Sequence, residues 1–111
     1  MNLLPPECSW DNIHIPSLKP GAIRGNHSHE YSTEYVLITS GPCKTVFYNE
    51  KTEEKLEIIV QKGIPRFFKI GPGISHAFKN LGDSEIILIC YEEKSANLTK
   101  QELKRLILIE H

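Results

Sequence analysis

A chain of 111 residues with 40% apolar and 24% charged side chains has enough material for one folded core and too little for two. Its formal net charge of −1 offers no basic field for nucleic acid, and no apolar run approaches the roughly 18 residues that would suggest a membrane span. The start, MNLLPPECSW, lacks the positive and apolar regions of a secretory leader, and the three cysteines, Cys8, Cys43 and Cys90, form no CxxC pair. The expectation is a single domain over residues 1–111 with reduced thiols, in the cytoplasm, with neither nucleic acid nor membrane as partner.

Taken in chain order, NIHIPSL reads as a first strand that Pro16 keeps at a sheet edge. The runs EYVLITS, CKTVFYN, KLEIIV, RFFKI, SHAFKN and EIILICY follow, each rich in β-branched and aromatic residues. Turn signals separate them: KPG at 19–21, SGP at 40–42, NEKTEE at 49–54, KGIP at 62–65, GPG at 71–73 and LGDS at 81–84. NEKTEEKLE reads as a solvated hairpin, and Cys90 as a small apolar core residue. Short strands with such punctuation predict an all-β sandwich, jelly roll or barrel. The tail differs. In LTKQELKRLILIEH, Thr99 and Glu102 have capping-box spacing, Leu98 and Leu103 stand where a hydrophobic staple would be, and Leu103, Leu106 and Ile107 share a helical face. A short C-terminal helix is expected within 98–110, with a strand through RLILI as the alternative.

Chemistry concentrates in GAIRGNHSHEYSTEYVLITSG, residues 21–41. On a strand, alternate residues share a face, so His27 and His29 point the same way. A bend through EYST lets Glu34 face the same interior from the next strand. His76, after another Gly-rich bend, can join them. Three imidazoles and a carboxylate are costly to bury without an ion or a polar ligand. Together they suit Zn, Fe, Ni, Cu or Mn and leave coordination positions open. His14 and His111 have no such company.

The spacing of Gly21, His27, His29, Glu34 and Gly41 resembles the first motif of the cupin superfamily, G-x5-H-x-H-x4-E-x6-G. Pro72, Gly73, His76 and Asn80 resemble its second, in a looser match, so that the likeness spans residues 21 to 91. The resemblance implies a cupin double-stranded β-helix, a jelly-roll barrel in which His27, His29, Glu34 and His76 bind a divalent metal. The run Arg24 to His29 is similar to cupins of sugar-nucleotide metabolism: deoxysugar 3,5-epimerases, 3,4-ketoisomerases and capsular polysaccharide epimerases. That likeness implies a nucleotide-linked 4-keto sugar as the small-molecule partner. Arg24 and Asn26 would bind it, although Asn26 also suits a turn. His27 would lie near an acidic C–H, as the base in metal-free relatives; Glu34 favours metal ligation instead.

The expected activity is therefore isomerisation or epimerisation beside a carbonyl, with Zn, Mn, Fe or Ni as Lewis acid. Tyr48, a metal-bound hydroxide, or His27 in the absence of metal would move the proton, and Phe78 would line the pocket. An Fe(II)-dependent dioxygenase is an alternative that the same donors permit. A non-catalytic binding cupin is another, favoured by the small size of the chain. By analogy with small cupins, a homodimer is expected.

Overall fold

Every strand expected from the sequence between residues 13 and 93 is present in the computed structural model, which describes residues 1, 3, 12–93 and 103–110. The front run is divided at Pro16 into β1 (Ile13–His14) and β2 (Ser17–Leu18), both paired with the edge of β9. Then come β3 (Ile23–His29), β4 (Thr33–Ile38), β5 (Cys43–Asn49), β6 (Glu54–Val60), β7 (Arg66–Ile70), β8 (Ile74–Asn80) and β9 (Ile86–Glu93). Two antiparallel sheets result. One has the order β1-β9-β4-β7, with β2 also on β9; the other has the order β10-β3-β8-β5-β6.

The sequence expectation of a C-terminal helix is corrected here. Leu103–Arg105 is a strand, β10, paired antiparallel with β3 so that Leu103 faces His29 and Arg105 faces His27. The open edge of β3 presents a row of backbone donors and acceptors that a strand satisfies and a helix cannot. Isolated helices of so few residues also carry a nucleation cost that side-chain periodicity alone does not offset. Leu98, Thr99 and Glu102, which carried the capping signal, lie outside the described residues. Among the described residues there is no α-helix, and no helix is long and apolar enough to cross a membrane.

Strand alternation builds the core. On β4, Glu34, Val36 and Ile38 are buried and Thr33, Tyr35 and Leu37 face outward; on β9, Ile86, Leu88 and Cys90 are buried between exposed Ile87 and Ile89. From the opposing sheet, Cys43, Val60 and Phe78 close onto them, with Leu18 and Ile70 filling the ends. Cys43 and Cys90 are free, and burial pushes their thiols up to about 11 and about 12. A Cβ on Gly41, the last residue of the first motif, would overlap the Val60 carbonyl, so this crossing of β5 and β6 admits no side chain.

Asn80 closes the end of the barrel away from the histidines. Its amide donates to the Leu18 and Ser84 carbonyls, 2.8 Å each, and its Oδ1 accepts from Gly82 N–H at 2.8 Å. Asn80→Ala would leave these groups without partners at a site only 1% exposed. The expected outcome is a loss of about 2–3 kcal/mol in urea unfolding, with metal content of the folded protein unchanged.

Candidate metal centre

His27 and His29 reach the interior through a break in alternation. Arg24 pairs with Phe78 and Gly25 with Ala77, but the next partner of β8, His76, faces His27. One residue, Asn26, is thus extra, and both Gly25 (φ 92°) and Asn26 (φ 55°) are left-handed. Without this bulge, Arg24 and His27, three apart, would point to opposite faces. With it, both face the cavity. Glycine is required at 25 twice over: by its φ, and because a Cβ there would lie 2.6 Å from the His76 carbonyl oxygen.

His76 comes from β8 of the same sheet, and Glu34 comes across the interior from β4 of the other. One ligand atom from each of His27, His29, Glu34 and His76 lies within 4.8 Å of all the others. His29 Nε2 is 2.8 Å from Glu34 Oε2, and His76 Nε2 is 3.7 Å from the same oxygen. Ligands bonded to one ion at about 2.0–2.2 Å stand about 3–3.5 Å apart when adjacent and about 4.2 Å apart when opposed. The set therefore fits a single divalent ion with movements of a few tenths of an ångström. His76 Nδ1 sits 3.3 Å from the Ile74 carbonyl. Donation from Nδ1 fixes the tautomer and leaves Nε2 as the lone pair facing Glu34, as a metal-ligating histidine requires.

The electrostatics agree. Burial, reinforced by His76 and His29, lowers His27 to about 4, and burial lowers His76 as well, so both rings are neutral near pH 7. Burial pushes the Glu34 carboxyl up, but the His29 hydrogen bond and the surrounding imidazoles outweigh it and hold it below the usual carboxylate range. Neutral imidazoles at His27 and His76 beside an ionised Glu34 are the protonation states in which these side chains bind metal.

The cavity around this cluster has a volume of about 130 Å³. Phe78, Leu88 and Cys90 form its apolar wall, while Arg24 and exposed His14 stand at its mouth. Glu92 also lines it, with Oε1 3.5 Å from His29 Nδ1. Sequence reasoning passed over Glu92 and set His14 aside. The signal for Glu92 was present: in IILICYEE the inward positions are Ile86, Leu88, Cys90 and then a carboxylate.

Two expected site residues stand elsewhere. Tyr48 of β5 pairs with Ser75 of β8, one residue out of step with inward Phe47, and lines a separate hollow with Glu54 and Leu56. It cannot move a proton in the cavity. Asn26 is not in the cavity wall either; as the extra residue of the bulge it turns its side chain to the C-terminal segment, bonding Leu108 and Ile109.

A jelly roll carrying a His-His-Glu-His cluster on its inner face defines a cupin, and the comparisons with known proteins agree. Residues 9–102 match the family described as the Polysaccharide biosynthesis C-terminal domain, and the chain belongs to that family. The chain is 22% identical over 105 residues to the spore coat polysaccharide biosynthesis protein SpsL of Bacillus subtilis (strain 168), covering 90% of this chain and 66% of that protein. The capsular polysaccharide assembling protein CapF from Staphylococcus aureus superposes with a TM-score of 0.72 at 26% identity, over 85% of this chain and 26% of that one. A recombinant oxalate oxidase in complex with glycolate superposes with a TM-score of 0.62 at 18% identity, over 75% of this chain and 42% of that one, a likeness of fold.

Two outcomes follow from this geometry. Gly25→Ala, which forces a methyl group against the His76 carbonyl, should lower divalent-metal stoichiometry at least several-fold, read by elemental analysis of folded protein. Acid should destabilise the metal-free chain early. The unfolded chain takes up protons on its histidines below about pH 6.5, whereas His27 resists protonation until about 4. Stability therefore falls as pH drops through that window, and the Glu34 contribution starts to be lost only at its acid end, as pH falls below the ordinary carboxyl value of 4.5. Melting temperature against pH in chelator should drop between pH 6.5 and 4, and His27→Gln should flatten the curve.

Proposed function

We propose that this cupin binds one divalent metal through His27, His29, Glu34 and His76 and acts as an isomerase or epimerase beside the carbonyl of a nucleotide-linked keto sugar in polysaccharide biosynthesis. The convergence of four donor atoms within 4.8 Å carries the reading. Membership of a polysaccharide biosynthesis family supports a sugar as substrate. A bound divalent ion supplies Lewis-acid stabilisation of negative charge on the carbonyl oxygen.

The chain's own residues do the rest. A cavity of about 130 Å³ has room for about four water-sized groups, enough for a carbonyl and its neighbouring carbon but not for a nucleotide. The reacting edge of the sugar enters, and the remainder lies across the mouth beside Arg24, whose guanidinium suits an anionic oxygen. Phe78, Leu88 and Cys90 exclude water from the inner wall. With His27 engaged as a ligand, it cannot also accept a proton through the same nitrogen. Glu92 takes that role: it is the one carboxylate of the cavity wall outside the donor set among the described residues. It removes the proton from the carbon next to the carbonyl, the electron pair moves onto the carbonyl oxygen, and a proton returns to carbon.

The test begins with elemental analysis of protein purified without a nickel column. About one equivalent of a divalent metal is expected, and none in His76→Ala. Incubation with a nucleotide-linked 4-keto sugar in deuterated water should place deuterium beside the carbonyl. Glu92→Gln should slow that exchange by about 10²-fold or more while keeping its metal. Binding without exchange would instead identify a non-catalytic module, and oxygen consumption would identify a dioxygenase; either overturns the proposal.

A further inference from the structure

Beyond β10, residues 106–110 lie on the back of the metal site. Leu106 N–H donates to the Asn26 backbone carbonyl at 2.9 Å. The Asn26 side chain then grips the next turn of the tail: its Oδ1 accepts from Leu108 N–H at 2.8 Å and Ile109 N–H at 3.0 Å, and its Nδ2 donates to the Ile109 carbonyl at 3.0 Å. Ile109 is buried against Val46 and Ala77 on the outer face of the second sheet, with Leu108 and Ile23 beside it. Ala77 is the neighbour of His76, and Asn26 is the neighbour of His27.

We infer that residues 106–110 form a brace for the metal centre, and that Asn26, seized by the tail, is the positioning residue that keeps His27 pointed inward. The alternation of β3 provides the reason. Asn26 is held left-handed at φ 55° as the surplus residue of the bulge. Relaxed to extended backbone, it would restore period-two alternation after Arg24 and turn His27 out of the cavity. Three side-chain hydrogen bonds, all to one short segment, oppose that relaxation. The same segment continues from β10, whose pairing opposite His27, Ser28 and His29 holds the whole ligand-bearing stretch from its open side.

This inference rests on the metal reading for its consequence, but the brace itself is measurable without metal. Diethyl pyrocarbonate labelling, resolved residue by residue with mass spectrometry, reports how far His27 is turned outward in chelator-treated protein. Asn26→Ala and a chain ending at Arg105 should both raise labelling of His27 several-fold and leave His76 protected. In parallel, zinc affinity measured against a chromophoric chelator should fall about tenfold or more in Asn26→Ala. Asn26→Gly, which keeps the left-handed backbone without the grip, should recover part of the loss. If the truncated chain fails to fold, the Asn26 variants carry the test, with circular dichroism confirming their sheets. A folded Asn26→Ala with wild-type labelling and wild-type zinc affinity overturns the brace. Raised labelling in a protein whose wild type binds no divalent metal retains the brace and overturns the metal reading instead.

Discussion

Two residues of left-handed backbone decide whether this barrel has a site at all. The strand that carries His27 and His29 begins with Ile23 outward and Arg24 inward, and simple alternation would then send both histidines to the outside. Gly25 and Asn26 absorb one surplus residue and invert the phase. A left-handed non-glycine residue costs about 1–2 kcal/mol, and the three side-chain hydrogen bonds of Asn26 offset it at about 1 kcal/mol each. The irregularity is thus held by specific contacts, while Gly25 lets β3 approach β8 closely enough for the two imidazoles to meet.

With that phase set, the interior changes character along three inward rows. On β4 the row is Ile38, Val36, Glu34; on β8 it is Asn80, Phe78, His76; on β9 it is Leu88, Cys90, Glu92. The middle of each row packs in the apolar core, and one end of each supplies a group that can ligate or exchange a proton. Because Glu34 and the histidines belong to opposing sheets, the separation of the donors is set by how the core packs between them. Burial has a second effect. It keeps the imidazoles of His27 and His76 neutral, and their lone pairs are then available to a cation instead of being occupied by protons.

The strands and the meeting of His27, His29, Glu34 and His76 were legible in the sequence, the strands through local rules and the four side chains through their spacing. Apolar alternation marked β4 and β9, Gly and Pro marked the turns, and the His-x-His pair with Glu34 and His76 carried a recognisable spacing. What was not legible depends on partners distant in sequence. Leu103 to Arg105 carries a helical pattern, yet the strand it becomes is dictated by the open edge of β3, more than seventy residues away in the chain. Asn26 lies beside the ligands in sequence, which suggests a substrate contact, but its side chain is committed to Leu108 and Ile109. Tyr48 has the chemistry of a proton carrier and the wrong parity on β5. Glu92 could have been found from parity alone, since it extends an inward row that is otherwise apolar.

The donor set cannot by itself choose a reaction, because three imidazoles and a carboxylate suit several metals and both redox and non-redox chemistry. The dimensions of the cavity narrow the choice in a different way. On the proposed reading, a volume of about 130 Å³ takes the reacting atoms, and what distinguishes one sugar from another is read at the mouth, where Arg24 and His14 stand. Contacts made there persist from bound substrate to transition state and set affinity and selectivity, whereas the inner groups act where charge and proton shift. On the proposed reading, then, Glu92 and the ligands define what is done to a carbonyl neighbour, and the rim defines to which molecule. A substitution at Arg24 belongs to the second class: its effect falls on the concentration of substrate required more than on the rate of proton exchange once substrate is bound.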